Sequence, residues 1–469
     1  MLVLSAQAAG LDAVDPQATQ PSAAQAVTPV PARSIEKIEV EANSDAGRRQ
    51  SLALKHIVTQ ADMARFGDST VLDVLRRQPG VTVTGAAGSG KGEVRMRGLG
   101  SGYVRILLNG EPAPPNFSLE SLSPSLLDRI EILPLPNVAL GTQAIAGTIN
   151  IILKQGQAKR SRDATVALSN SNGFWNGNAS FGLGEATDRF SWLVAASARH
   201  SQADDIYQTT IAGQDRQSGS LLREMAQFNH DSSASWTIAP RSSWQITDMQ
   251  SLSWQGFVSD TQYQSSGHDE THFLLGPVNP WGRNRYLSDG RTSTLRNQFS
   301  WSDQLSDSTK VDIRLTDTHS QKRHGSMVAW IDVAGETSQR EHLRNDADQG
   351  GQSLFASMRM AASDSMALLT GVDIKRDAQQ ATRVDTVDGV SQLDAVGSLF
   401  KSTIKRSAVF AQSEWSGARW SGSLGLRWEQ LSIDSRSNLG LGSSYAKPVL
   451  SPLAQIVWKI PGMDKDQLR

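Results

Sequence analysis

Val71-Leu72-Asp73-Val74-Leu75-Arg76-Arg77-Gln78-Pro79-Gly80 opens the stretch on which the reading turns. It continues through Val94-Arg95-Met96-Arg97-Gly98 and Val104-Arg105-Ile106-Leu107-Leu108-Asn109-Gly110. It closes with Asp128-Arg129-Ile130-Glu131-Ile132 and Ala146-Gly147-Thr148-Ile149-Asn150-Ile151-Ile152-Leu153-Lys154. Val71, Leu72, Val74 and Leu75 form one helical stripe, with Ser69 as its expected cap and Pro79-Gly80 as its stop. Upstream, Thr59 can cap a helix running through Arg65, with Asp62 at the third helical position. Ser123-Pro124 is a further helix start, a capping hydroxyl followed by proline at the first position. Leu126, Leu127 and Ile130 then face inward. Residues 130–133 and 148–153 read as strands, and Asn109-Gly110 as a tight turn. The stretch is a small mixed α/β unit.

The composition of the 469 residues bounds what surrounds it. A formal net charge of −1 leaves no basic footprint for nucleic acid. No apolar run approaches the ~18 residues of a membrane-spanning helix, although a spanning strand needs an apolar residue only at every second position. With no cysteine there is no disulfide framework, thiolate metal site or thiol nucleophile. None of the 12 tryptophans precedes Trp175, which sets a domain boundary near Gly156.

Towards the N-terminus, residues 1–9 are short and apolar, and Ala6-Gln7-Ala8 suits a cleavage site, so a clipped export signal is expected. Residues 11–33 are rich in Ala, Gln, Pro, Ser and Thr and form a linker. Ile35-Glu36-Lys37-Ile38-Glu39-Val40-Glu41-Ala42 alternates apolar and charged residues, a short strand free to pair with a partner's sheet edge.

Beyond Ala164 the period becomes two. Trp420, Gly422, Leu424, Leu426 and Trp428 share one face, with Ser421, Ser423, Arg427 and Glu429 opposite. Val311, Ile313 and Leu315 alternate likewise with Lys310, Asp312 and Arg314. Strict alternation describes a sheet that is apolar on one side. Short turns are expected near residues 185–189, 240–243, 303–308, 361–365 and 416–419. Long polar loops are expected near 201–222, 259–291, 321–351, 376–401 and 435–447. Short turns at one end and long loops at the other are the pattern of an outer-membrane β-barrel, and Trp244, Trp415 and Trp420 beside short turns suit its aromatic girdle. A soluble β-sandwich would explain the alternation but neither the asymmetry of the connections nor the tryptophans. About eleven strands are countable.

Other motifs carry little. Gly85-Ala86-Ala87-Gly88-Ser89-Gly90-Lys91-Gly92 has phosphate-loop spacing, but Gly92 replaces the magnesium-binding hydroxyl, and residues 93–97 alternate like a strand where a helix is required. Gly98-Leu99-Gly100-Ser101-Gly102 has the wrong spacing for a dinucleotide loop. His268 and His272 lack the surrounding helical periodicity that would let them share a metal.

In their order, the segments between Val71 and Lys154 resemble the plug domain of TonB-dependent outer-membrane receptors. The resemblance implies a mixed α/β plug followed by an antiparallel transmembrane β-barrel with about half the usual strands, so the chain ending Asp466-Gln467-Leu468-Arg469 reads as an N-terminal fragment broken mid-barrel. The divisions are 1–34 (signal remnant and linker), 35–156 (coupling strand and plug) and 157–469 (partial barrel). The plug signature falls on Gly98, Asn109, Gly110, Glu131, Gly147 and Asn150. Ile35, Glu36, Ile38 and Val40 stand where the energy-coupling box is found. Arg97 and Arg129 are expected to look out towards barrel-wall carboxylates as a plug–barrel latch. Lys91, Asn116, Phe117, His268 and His272 lie on the expected ligand surface. The implied function is to bind an extracellular ligand, a ferric siderophore first and a glycan or cobalamin next, and to import it into the periplasm. The implied partners are the inner-membrane TonB complex, the small-molecule ligand and outer-membrane lipid, in the outer membrane of a Gram-negative bacterium. A receptor that binds without transporting is the alternative. No bond is made or broken, so no catalytic residue, metal or cofactor is expected.

Overall fold

The computed structural model describes residues 2–6, 55–66, 68, 70–84, 93–100, 102–113, 119, 122–134, 138–139, 145–154, 160–171, 173–215, 219–276, 283–332, 335–393, 398–459 and 467–468. The coupling strand with Ile35, Glu36, Ile38 and Val40, the glycine loop with Lys91, and Asn116 and Phe117 lie outside these residues.

Ahead of the plug, β1 (Leu2–Ala6) pairs with the first long wall strand described below. The plug opens with β2 (His56–Thr59) and α1 (Gln60–Phe66), where the Thr59 hydroxyl accepts from the Asp62 amide and the Asp62 carboxylate accepts from the Thr59 amide. The second helix, α2 (Val71–Arg76), is capped one residue later than expected, by Thr70 rather than Ser69. Asp73 decides this. It stands three residues after Thr70, so its carboxylate accepts from the Thr70 amide while the Thr70 hydroxyl accepts from the Asp73 amide, each at 3.1 Å. Val71, Leu72, Val74 and Leu75 are all buried, as their spacing implies.

Then come β3 (Val81–Thr84), β4 (Glu93–Met96), β5 (Val104–Leu108), β6 (Glu111–Pro112), β7 (Leu127–Leu133) and β8 (Gly147–Leu153). The main plug sheet has the order β2-β7-β8-β5-β6, with β5 and β8 parallel, while β3 and β4 form a separate antiparallel pair. Because β4 is a strand, the glycine run before it has no helix N-terminus to offer a phosphate. The start at Ser123-Pro124 yields one 3-10 turn (Pro124–Leu126) that feeds β7 directly. Central strands β7 and β8 are buried or half-buried throughout, as strands covered on both faces are. Ile130, Ile149 and Ile151 pack there with Met63, Leu72, Leu75 and Leu126 in one core. Each such side chain contributes about 1.5–3 kcal/mol by leaving water.

The wall follows as β9 (Ser161–Ser171), β10 (Phe174–Ala186), β11 (Phe190–Asp215), β12 (Gly219–Gln245), β13 (Gln250–Leu275), β14 (Arg283–Ser306), β15 (Thr309–Ile331), β16 (Thr337–Ser363) and β17 (Met366–Val387). It ends with β18 (Val390–Ser391), β19 (Leu399–Ser416), β20 (Trp420–Ser437), β21 (Gly442–Lys459) and β22 (Gln467–Leu468). All belong to one 15-stranded antiparallel sheet whose order follows the chain, with β1 added beside β9. Of these strands, twelve are long, one more than expected, and the additional one is β9.

The two faces of the wall reverse the polarity of a soluble sheet. On β20, Leu424 is 60% exposed and Trp420, Leu426 and Trp428 are exposed beside it, while Ser421, Ser423, Glu429 and Arg427 (1% exposed) are buried on the other face. Leu315, Phe299 and Phe181 point outward in the same way. A sandwich would bury these apolar faces against each other. Here they form one continuous outer surface of the kind lipid covers. No described helix is long and apolar enough to cross a membrane. Trp420 stacks on Trp458 across β20 and β21, at 5.8 Å between ring centroids, beside a short turn.

The connections correct the sequence reading twice. Pro240 to Ser243 lies inside β12, and the turn falls at residues 246–249. The expected long loops are largely strand: β11 to β17 run 22 to 27 residues and carry the pairing far beyond the ~9–11 residues that cross hydrocarbon. Beyond the stretch of alternating hydropathy the sequence signal fades. The backbone ladder continues because every N–H and C=O still needs a partner.

Candidate functional site at the plug–wall boundary

The site begins with a turn. Asn109 and Gly110 both have positive φ, 53° and 81°, the geometry of the two-residue hairpin that joins β5 to β6. Gly110 is also fixed by space, since a Cβ there would lie 3.0 Å from Nη1 of Arg314 on the wall. The turn carries Glu111 to the wall and buries it. Lys375 Nζ lies 2.9 Å from Glu111 Oε2, Ser353 donates to the same oxygen at 3.3 Å, and Arg314 Nη1 lies 3.3 Å from Oε1. Burial pushes the Glu111 carboxyl up, but Lys375 and Arg314 outweigh it and hold it below the ordinary glutamate range.

Wall arginines also hold the plug by its carbonyls. Arg296 donates to Pro112 O at 3.1 Å and Leu108 O at 3.3 Å. Arg427 donates to Val138 O at 3.2 Å, with Asp373 and Glu429 neutralising it at 3.0 Å each. Asn109 reaches Gln255 on β13 at 2.5 Å. A cavity of about 420 Å³ lies against this boundary, lined by Arg105, Glu111, Arg296, Lys375, Asp377 and Arg406 among others.

Behind the turn, the signature residues form one polar chain. Asn150, buried in β8, accepts from the Gly110 amide at 2.8 Å and donates to Glu131 at 3.2 Å. Asn109 Oδ1 in turn accepts from the Leu153 amide at 2.9 Å. Glu131 is paired with Lys55 at 2.7 Å and Arg129 at 2.9 Å. Burial raises the Glu131 carboxyl, and these two cations more than reverse that. Gly147 occupies φ 141° where a Cβ would strike Met96 and the Leu133 carbonyl. Gly98 lies apart, in the tight turn Arg97-Gly98 between Met96 and Leu99.

The expected latch is therefore reversed in polarity. Arg129 spends its guanidinium within the plug, on Asp128 at 2.7 Å and Glu131, and Arg97 is exposed at its turn. The pairs of Glu111 with Lys375 and Arg314 put the carboxylate on the plug and the cations on the wall. Arginine inside β7 and carboxylate two residues on satisfy each other locally, so neither reaches out. The expected ligand-facing histidines are also displaced. His268 and His272 lie within β13, not a loop, at the parity of Leu252 and Trp254, on the face away from the plug, and His268 stacks on Phe228 at 4.7 Å. Glu111, Arg296, Arg314, Lys375 and Arg427 escaped sequence reasoning. The available signal was a charge at inward parity in mid-strand, and a carboxylate directly after an Asn-Gly turn.

Residues 48–148 match the family model described as TonB-dependent Receptor Plug Domain. Among solved structures, the chain resembles the siderophore receptor PiuA from Acinetobacter baumannii, with 13% identity, TM-score 0.58, and coverage of 88% of this chain and 63% of that one. It resembles BauA, the ferric preacinetobactin receptor from the same organism, with 14% identity, TM-score 0.59, and coverage of 87% and 62%. It also resembles the copper transporter OprC, with 16% identity, TM-score 0.58, and coverage of 88% and 63%. The chain thus spans less than two thirds of the length of these three proteins. Residues 48–148 thus carry a TonB-dependent receptor plug domain, and the plug with its strand wall has the fold of the TonB-dependent receptors.

Proposed function

We propose that the protein is the ligand-binding and gating portion of an outer-membrane importer. The ligand would be taken up from outside the cell, a ferric siderophore first, and delivered to the periplasm with energy from the TonB complex pairing with Ile35, Glu36, Ile38 and Val40. The observation that carries this reading is the character of the plug–wall boundary. The apolar core of the plug meets the wall at Ala195, Ala239 and Phe257, and much of the rest of its hold on the wall is polar, through Glu111, backbone carbonyls and Asn109. Polar contacts of this kind can be exchanged for water, so the plug can shift without unfolding. The outward apolar face supports placement in outer-membrane lipid.

The test is uptake of a panel of radiolabelled ferric siderophores by cells expressing the full receptor, with and without residues 35–42. Import requires that the deletion spare binding and abolish uptake. Uptake that survives the deletion would falsify TonB coupling and favour a receptor that binds without transporting.

A further inference from the structure

Far from the plug, the outer face of β17, β19 and β20 carries more cations than carboxylates. Strand parity places them there. On β17, Ile374 is exposed between buried Asp373 and Lys375, so Arg376 also points outward. On β19, Val409 is exposed between buried Ala408 and Phe410, which turns Lys405 and Lys401 outward as well. On β20, Asp434 and Arg436 share the parity of exposed Leu424 and Trp428. Arg376 stands directly opposite Lys405, and Lys401 directly opposite Arg436. All four are exposed. Like charges facing each other across a sheet repel. Asp434 answers Arg436 at 3.2 Å, but Arg376, Lys405 and Lys401 have no ion pair among the described residues. Elsewhere on the outer face such charges are matched. Arg291 on β14 lies 2.8 Å from Asp260 on β13, and Arg323 on β15 faces Asp346 on β16.

The height of these cations on the wall decides what they meet. A strand crosses hydrocarbon in about 9–11 residues. Counted from the short turns at residues 364–365 and 417–419, that length ends at Arg376 on β17 and Lys405 on β19. On the turn side of them, Ile374, Val409 and Trp428 form an exposed apolar surface. On the other side, Lys401 follows Lys405 by four residues, about 13 Å along the strand. We infer that this face binds an anionic lipid whose headgroup carries two phosphates. One phosphate lies between Arg376 and Lys405, the other at Lys401 and Arg436, and the acyl chains lie on Ile374, Val409 and Trp428. A zwitterionic headgroup brings no net charge to the four cations. Free phosphate would meet the cations but not the apolar surface, so the two halves of the site together select a lipid. The inference rests on the outer face meeting lipid, as proposed above, and not on import.

The experiment is native mass spectrometry of the detergent-purified full receptor, titrated with diphosphoryl lipid A and with monophosphoryl lipid A of the same acyl chains. The parent must bind the diphosphoryl form more tightly by roughly tenfold, and excess inorganic pyrophosphate must fail to displace it. The double variant Arg376→Gln, Lys405→Gln must bind the diphosphoryl form more weakly by roughly thirtyfold, since each cation at a lipid surface contributes a factor of about five. Arg291→Gln, which removes a cation that Asp260 already neutralises, must leave the affinity unchanged. Heat-modifiable migration in gels verifies that each variant is folded, and the comparison of two lipids on the parent does not depend on any variant. Equal affinity for the two lipids, displacement by pyrophosphate, equal affinity of parent and double variant, or absence of binding overturns the proposal. The titration involves no transport. Uptake that survives deletion of residues 35–42 therefore counts against the import reading alone, and a flat titration against this one alone.

Discussion

Glu111 on the plug and Lys375 on the wall lie 2.9 Å apart, both buried, across 264 residues of chain. The pair joins the two parts of the molecule through charge, with Arg314 as a second wall cation 3.3 Å from the same carboxylate.

Glu111→Gln removes the counterion that Lys375 and Arg314 share. Breaking one side of a buried pair typically costs about 3–5 kcal/mol. The loss is expected in the seating of the plug rather than in the wall, as faster hydrogen exchange across β5 and β6 with β20 unaffected. Adding Lys375→Met to Glu111→Gln is expected to recover part of the loss, since the second buried charge is then gone as well. Unchanged hairpin exchange in the single variant would exclude Glu111 as the latch.

Acidification has a defined sign. The Glu111 and Glu131 carboxyls are both held below their ordinary range in the folded protein. Their contribution is complete above the ordinary glutamate value of about 4.3 and is lost as pH falls through the depressed folded values. Plug seating, followed by limited proteolysis of the β5–β6 hairpin, is expected to be constant from pH 8 down to about 5 and to weaken below about 4. Glu111→Gln should flatten part of that dependence.

Asn150→Leu keeps the volume in β8 but leaves the Gly110 amide and one Glu131 oxygen without their partner. Buried groups left unsatisfied cost about 1–3 kcal/mol each. Thermal unfolding of the plug should fall accordingly, and Asn150→Asp should restore the Gly110 bond but place a like charge against Glu131. Equal stability of Asn150→Leu and the parent would show that the polar chain behind the turn carries no weight.

Gly110→Ala adds a Cβ at φ 81° and 3.0 Å from Arg314. The left-handed backbone alone costs about 1–2 kcal/mol. Because Arg314 is the neighbour that must give way, the variant should weaken the Arg314 contact with Glu111 and reproduce part of the Glu111→Gln exchange pattern.

Leu424→Arg places a charge on the outer face of β20, where membrane burial makes it cost roughly 2–4 kcal/mol near the bilayer centre. The same change at Leu441, in the turn after β20, should cost no more than about 1 kcal/mol. Membrane insertion and heat-modifiable migration distinguish the two. Equal tolerance at both positions would mean that the apolar face does not meet lipid.

Much of the architecture was legible locally. Alternation along residues 420–429 marks the outward and inward faces of β20 because side chains of a strand must alternate. The Asn109-Gly110 hairpin and the buried stripe of α2 follow from backbone preference and helical spacing. Even the shift of the cap from Ser69 to Thr70 is written in the sequence, in the spacing from Thr70 to Asp73. Tertiary structure decided the rest. How far the wall strands run past the alternating stretch depends on backbone pairing, which leaves no mark on hydropathy. Parity puts Arg314, Lys375 and Arg427 on the inward face, but which plug atom each one meets depends on how the sheet's stagger sets the height of every strand against the plug. That choice joins groups 203 to 289 residues apart. It gave the carboxylate of the latch to Glu111, because Arg129 had already been satisfied by Asp128 and Glu131 beside it in the same strand.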